Sequence, residues 1–240
     1  VKEAGIPNIK PVPNAPVELS IDKGYGWQIP VNTIDLAQID IDWVNQWANH
    51  AIEGAKVYID GKVLQDIYSS AHATNKGATA GAKSANINLG ASGSPLALTR
   101  NNVLRTFSYA RQCLEENNVP PTDTFMVIPA WASRLLKDSD LKDCSMVGDN
   151  TSAIRNGRLG VIDGFTVIQS NNLKSAADGS VTATDFLFGS KVATTFATQI
   201  TEKQLIDNPN DYGKLLRGLQ VYGYKVVQPL ALGTIHAYEG

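Results

Sequence analysis

Three imidazoles, two thiols and a few clustered carboxylates are the groups in this chain best suited to chemistry. His50, His72 and His236 stand far apart, none at metal-ligand spacing. A catalytic or metal role for any of them therefore needs convergence in the fold. Cys113 and Cys144 form no CxxC and have no Cys/His spacing, which argues against structural zinc and leaves no disulfide framework. Cys113 falls beside the apolar face of its helix, where a small buried thiol is the usual outcome. Asp35, Asp40 and Asp42 cluster tightly, but carboxylates in the first turns of a helix are favoured by the backbone dipole, and that reading outweighs a metal site.

Two small-residue runs approach known signatures. Gly77-Ala-Thr-Ala-Gly-Ala-Lys-Ser84 is close to a phosphate-binding loop, yet Ala82 separates the second Gly from Lys83 and no strand precedes it. Gly90-Ala-Ser-Gly-Ser94 lacks the final Gly of a nucleophile elbow. Asn150-Thr-Ser152 matches a glycosylation sequon, which carries no weight without a secretory signal. We therefore expect no catalytic, cofactor-binding or metal-ligating residues. Trp27, Trp43, Trp47 and Trp131, with Tyr58, Tyr68, Tyr222 and Tyr224, suit subunit contacts, although about half should be ordinary core.

Composition points the same way. Of 240 residues, 43% are hydrophobic and only 18% charged, so Asn, Gln, Ser and Thr must cover much of the surface, which suits lateral contact with other subunits. A net charge of −2 offers no basic stripe for a nucleic-acid reader, and contact with DNA can only be weak. No apolar run approaches the roughly 20 residues that span a bilayer, so no membrane partner is expected. The chain opens at Val1 and runs directly into Pro7, Pro11, Pro13 and Pro16, from which we expect upstream sequence.

The elements that would position these groups follow from periodicity. Val17, Leu19, Ile21, Tyr25, Trp27 and Ile29 alternate as in one long half-buried strand, whose partner is expected outside this chain. Ile41, Val44, Ala48, Ile52, Ala55, Ile59, Val63 and Ile67 recur every three or four residues and predict one helix over about 34–71, with Gly54 and Gly61 marking a bend or a close contact. Residues 73–95 read as a long mobile loop. Thr99 offers an N-cap to a helix with Val103, Phe107, Ala110 and Leu114 inside, ending near Asn117. A short strand over 125–128 precedes a helix started by Pro129, with Trp131, Leu135 and Leu136 inward. Strands are expected at 160–169, 185–188 and 192–206, with a final extended stretch over 215–235. This is an α+β pattern.

Taken in order, the blocks Phe125-Met-Val-Ile-Pro-Ala-Trp131, Ile154-Arg-Asn-Gly-Arg-Leu-Gly-Val-Ile-Asp-Gly-Phe-Thr-Val-Ile-Gln-Ser-Asn-Asn-Leu173, Val17 to Gln38, and Leu215 to Tyr238 with its Gln228-Pro229-Leu230-Ala231 step carry a likeness. They resemble the major capsid proteins of tailed bacteriophages, with the Hong Kong 97 fold. The resemblance implies four spans: a remnant of an extended hairpin arm over 1–31, a peripheral domain with a spine helix over 32–72, an axial domain over 73–214, and closing strands over 215–240 that return to the peripheral domain. It implies an icosahedral shell around double-stranded DNA, built from hexameric and pentameric capsomers, with scaffold and portal proteins as partners. The setting implied is host cytoplasm during assembly and then the virion. Some members crosslink a hairpin-arm Lys to a neighbour's Asn; Lys2 and Lys10 lie in that region, but no local motif identifies a partner, so that chemistry is not carried over. With half the hairpin absent, the expectation is that this piece alone stays monomeric or forms small irregular oligomers. An encapsulin-like nanocompartment is the alternative on the same fold, and a hydrolase or nucleotide-binding enzyme the alternative of another class.

Overall fold

The computed structural model describes residues 17–32, 43–139, 160–209 and 213–240. Strand β1 (Lys23–Asn32) buries Val31 and half-buries Tyr25, Trp27 and Ile29, while Gly24, Gly26, Gln28 and Pro30 face out. The alternation read from sequence is therefore real, shifted toward its C-terminal end. The expectation that its partner lies outside the chain is corrected. Residues of β1 pair antiparallel with the strand Gly213–Val226, from Lys23 opposite Tyr222 to Asn32 opposite Gly213. Alternation identifies a half-buried strand but carries no information about which distant segment completes it.

Helix α1 (Trp43–Ile67) follows, about 37 Å long at the usual rise. It runs unbroken through Gly54 and Gly61, so over the described residues the single long helix is correct. The part expected over 34–42, and with it Asp35, Asp40 and Asp42, lies outside the described residues. Ala48, Ala55, Ile59 and Ile67 are buried along one stripe, and a 3-10 turn over Tyr68–Ser70 ends the rod. A Cβ at Gly54 would meet nothing and one at Gly61 would lie 3.9 Å from Asn172 Cβ, an ordinary contact, so packing requires neither glycine.

Residues 73–95 contain one 3-10 turn and two isolated bridges, Ala80 with Ile87 and Ala91 with Ser94. They form a loop, but the expectation that they have little to bury is corrected. Asn75, Ala80, Ile87 and Leu89 are buried. The larger apolar side chains Ile87 and Leu89 are spent on the core, and polar anchors do the rest: Asn75 donates its amide to the Leu230 and Leu232 carbonyls. Gly81 and Gly90 hold positive φ where a Cβ would strike Ser84 Oγ and the His236 carbonyl, so small residues here mark close packing.

The remaining elements are β2 (Leu96–Leu98), α2 (Val103–Glu116), β3 (Thr124–Ile128), α3 (Ala130–Asp138), β4 (Val161–Ile162), β5 (Phe165–Gln169), β6 (Ser175–Asp178), β7 (Val181–Ser190), β8 (Thr194–Asp207), β9 (Gly213–Val226) and β10 (Leu232–Glu239). The N-cap of α2 is Asn102 and not Thr99: the Asn102 side chain turns back to accept from the Thr99 N–H. Pro129 caps α3 from the position before its first turn. The strand expected over 160–169 is two, β4 and β5, because Asp163 and Gly164 both adopt positive φ and close a tight hairpin. The final extended stretch expected over 215–235 comprises β9 and β10, separated by the 3-10 turn Pro229–Ala231.

Two sheets result. One has the order β1-β9-β8; the other runs β2-β10-β7-β3-β5-β4, with β6 on β7. Strand β8 joins β9 and β1, whereas β10 belongs to the larger sheet. Phe186, Phe188, Ile235, Met126 and Ile128 pack with α2 and α3 on one face of the larger sheet. Leu187, Val127 and Leu173 pack with Ile67 at the end of α1 on the other. The central strand β7 is thus buried on both faces, which is why Phe186-Leu187-Phe188 reads as a continuous apolar run.

Candidate functional surfaces

On the face of the large sheet next to α1, a cleft of about 420 Å³ opens between Tyr68 and Ser69, the loop residues Lys76, Gly77 and Gly90 to Ser92, and a floor of Lys174, Ala176, Asp185, Thr234 and His236. His236 sits on β10 opposite Asp185 on β7. Its Nδ1 lies 2.7 Å from Asp185 Oδ1 and its Nε2 3.1 Å from Asp178 Oδ2. Each ring nitrogen therefore faces a carboxylate oxygen. Asp178 also accepts the Gly93 N–H at 2.7 Å, and that bond, then His236, holds its carboxyl below the ordinary value.

The fold therefore supplies a convergence that spacing did not reveal, with Ser92 lining the same cleft. The geometry is still wrong for a serine nucleophile. A triad needs Nε2 facing the hydroxyl, and here Nε2 faces a second carboxylate. Position 90–94 is a turn closed by Ala91 and Ser94, without the strand-to-helix elbow.

The phosphate-loop look-alike is also explained. The N–H groups of Lys83 and Ser84 donate to Glu116 Oε2 at 2.7 and 3.0 Å, and the Ser84 hydroxyl joins them. The donors a phosphate would need already hold a side chain of α2. Those bonds, Ser84 first, pull the Glu116 carboxyl down to about 2. Burial, helped by the Glu116 charge, pushes the Cys113 thiol up to about 12, an inert structural cysteine. His72 caps the 3-10 turn Ala73–Asn75 by accepting from the Thr74 N–H, and His50 is exposed on α1. Among the described residues no group of three or more His, Cys, Asp or Glu is placed to hold a metal. Cys144 and Asn150 lie outside the described residues.

Several aromatics pack on one another. Tyr25 meets Tyr58 at 4.5 Å with the rings tilted, Tyr222 is buried between Phe196 and Tyr224, and Trp131 packs on Phe186. The Tyr224 hydroxyl meets Asp66 at 2.9 Å, tying β9 to α1, and burial raises its pKa. Large apolar side chains left in solvent include Val57 on α1, Phe196, Leu205 and Leu219 on β8 and β9, and Val161 and Ile168 on β4 and β5. Spread over several elements, they suit broad lateral contacts better than one tight pocket.

The sequence matches the phage capsid protein family over residues 6–239. No curated protein matches it in sequence. Among solved structures, the chain is similar to one from Mycobacterium phage Che8, with 20% identity, a TM-score of 0.69 and coverage of 91% of this chain and 72% of that one. It is similar to the capsid of Cyanophage P-SCSP1u, with 15% identity, TM-score 0.64 and coverage of 95% and 79%. A weaker likeness is to the holo-SrpI encapsulin complex from Synechococcus elongatus PCC 7942, with 13% identity, TM-score 0.54 and coverage of 91% and 73%. These likenesses carry the fold and the family match carries the role: the chain belongs to the phage capsid protein family, a structural component of the virion shell with the Hong Kong 97 fold, and not an enzyme.

Proposed function

We propose that this is the major capsid protein of a tailed phage, assembling as hexameric and pentameric capsomers into an icosahedral shell around double-stranded DNA. The observation that carries the reading is the family match across nearly the whole chain, supported by a long helix set against two sheets. In this reading α1 with β1, β9 and β8 is the peripheral domain, and the larger sheet with α2 and α3 is the axial domain. The span 1–31, of which residues 17–31 are described, contributes β1 to the peripheral sheet as what remains of the arm. The Gln228-Pro229-Leu230-Ala231 step is where the chain passes from one sheet to the other. Scaffold and portal proteins are the partners during assembly in the host cytoplasm, and contact with packaged DNA is weak and non-specific, in keeping with a net charge of −2.

A second reading, a nanocompartment around a protein cargo, is favoured only by the weaker encapsulin likeness. Particles purified from the cells in which the chain naturally occurs separate the two. The expected result is closed icosahedral particles in which this chain is the most abundant protein and nuclease-protected double-stranded DNA lies inside. Particles filled with protein and devoid of DNA would select the second reading, and absence of the chain from any particle would end both.

A further inference from the structure

The sheet β1-β9-β8 is covered on one face and open on the other. Toward α1, Val31 and Leu216 pack on Ala48 with Trp27 beside them, and Tyr25 meets Tyr58. The alternate residues of β1, Gly24, Gly26, Gln28 and Pro30, are exposed. Strand register carries that second face across the sheet, because directly paired residues point the same way. Pro30 stands beside Leu215 and Leu215 beside Ile206; Gly26 stands beside Leu219, and Gly24 beside Val221. Among the described residues the stretch before β1 covers one end of this face, where the Ser20 carbonyl occupies the place of a Gly223 Cβ, and from Gly24 to Pro30 the face is open.

A solvated sheet face normally carries polar side chains. Here three aliphatic residues of β9 point outward, Leu219 with 44% of its surface exposed. Gly24 and Gly26 leave a trough along them. Neither has positive φ, and a Cβ at Gly26 would make an ordinary 3.9 Å contact with Leu219, so the subunit itself does not call for glycine there. The charges on these rows cancel: Arg217 donates to Gln204 Oε1 at 2.7 Å, and the Gln204 amide donates to Glu202. A face with no net charge is a poor match for DNA phosphates. Three strands about 4.8 Å apart, over the ten residues of β1, give it a plan area of roughly 500 Å². A dimer that stands alone takes about 800 Å² from each partner, so this face is sized for a contact repeated around a shell. We propose that it is an interface with a second copy of the chain, which lays apolar surface into the trough at Gly24 and Gly26 against Leu219 and Val221. The inference rests on the shell reading above, in which copies of the chain surround every subunit.

A photoreactive benzoylphenylalanine in place of Gln28, on the full chain, tests it. Particles assembled from a mixture of isotopically light and heavy chains are irradiated and their peptides read by mass spectrometry. The expected result is peptide pairs that join a light chain to a heavy one through position 28. Pairs of a single isotope, which mean that the chain covers its own face, coupling to a different protein alone, or no coupling in well-formed particles would each overturn the inference. Substitution gives a second readout. An unpaired carboxylate in an apolar contact is costly, so Leu219→Asp should lower particle yield at least about ten-fold, whereas Leu219→Met should keep it. The melting midpoint of the free Leu219→Asp subunit should stay within roughly 2 °C of the parent, since the position is exposed. If that midpoint shifts further, Gly26→Val takes its place: valine suits a strand, has room at that Cβ and fills the trough, so yield should fall while the subunit stays folded. Parent yield in the variant that keeps its fold would overturn the interface. A parent chain that forms no particles counts against the shell reading, and the same photocoupling among free chains then decides, with absence of mixed pairs overturning the inference.

Discussion

At the scale of single residues, the polar side chains of this subunit act as fasteners. Glu116 shows this most directly, since its carboxylate closes the 81–84 turn against α2. Held at about 2 against an ordinary 4.5, it stays charged in the fold at pH values where the unfolded chain takes up a proton. Its contribution is therefore complete above about pH 5 and disappears as the pH falls toward 2. Glu116→Ala should cost about 0.5–1 kcal/mol near neutrality by removing the acceptor of one exposed and one part-buried N–H. The gap in melting temperature from the parent should narrow steadily on acidification; a gap independent of pH would show that the charge is irrelevant. Cys113 yields a second expectation. With its thiol raised to about 12, site-resolved alkylation at about pH 8 should be negligible in the folded chain and prompt in denaturant. Burial of Cys113 was legible from its place beside an apolar helix face. The His236 cluster was not, because Asp178 and Asp185 lie 58 and 51 residues away and meet it only through strand register.

Among the elements, those with strong local period were readable and those made by distant pairing were not. The stripe of α1 and the run of β7 announce themselves, whereas β6, Ser175–Asp178, has little strand propensity and exists because β7 offers it a ladder. The hairpin of β4 and β5 carried a usable signal in Asp163-Gly164, a pair suited to a two-residue turn. For α1 the glycines give a clean test. A Cβ at Gly54 meets nothing within 4 Å, so Gly54→Ala changes only helix propensity and should stabilise by about 1 kcal/mol. The melting midpoint should rise by roughly 2–4 °C. A fall would mean that the position needs glycine for a contact outside the subunit, and particle yield of the same variant would then drop in parallel.

For the whole molecule, the order of sequence blocks made the family legible, but the division of the chain between two sheets was hidden, since Lys23 meets Tyr222 across most of the chain length. Composition bears directly on how copies hold together. With 18% charged residues and a net charge of −2, the surface has few ions to pair across interfaces, while Val57, Phe196, Leu205, Leu219 and Val161 are left in solvent by the isolated fold. Contacts built from apolar and neutral polar groups are insensitive to screening, because shortening the Debye length from about 10 Å to about 3 Å alters only interactions between charges. Urea weakens such contacts by solvating both apolar and peptide groups. Assembled particles should therefore keep their scattering intensity when sodium chloride rises from about 0.1 to about 1 M and lose it in urea below the concentration that unfolds the subunit. The measurement is light scattering beside circular dichroism on one sample. Loss of more than half the particles in salt alone would mean that the few charged residues sit at the interfaces and carry them, and the neutral surface would then have to be the part of the subunit that faces solvent in the finished shell.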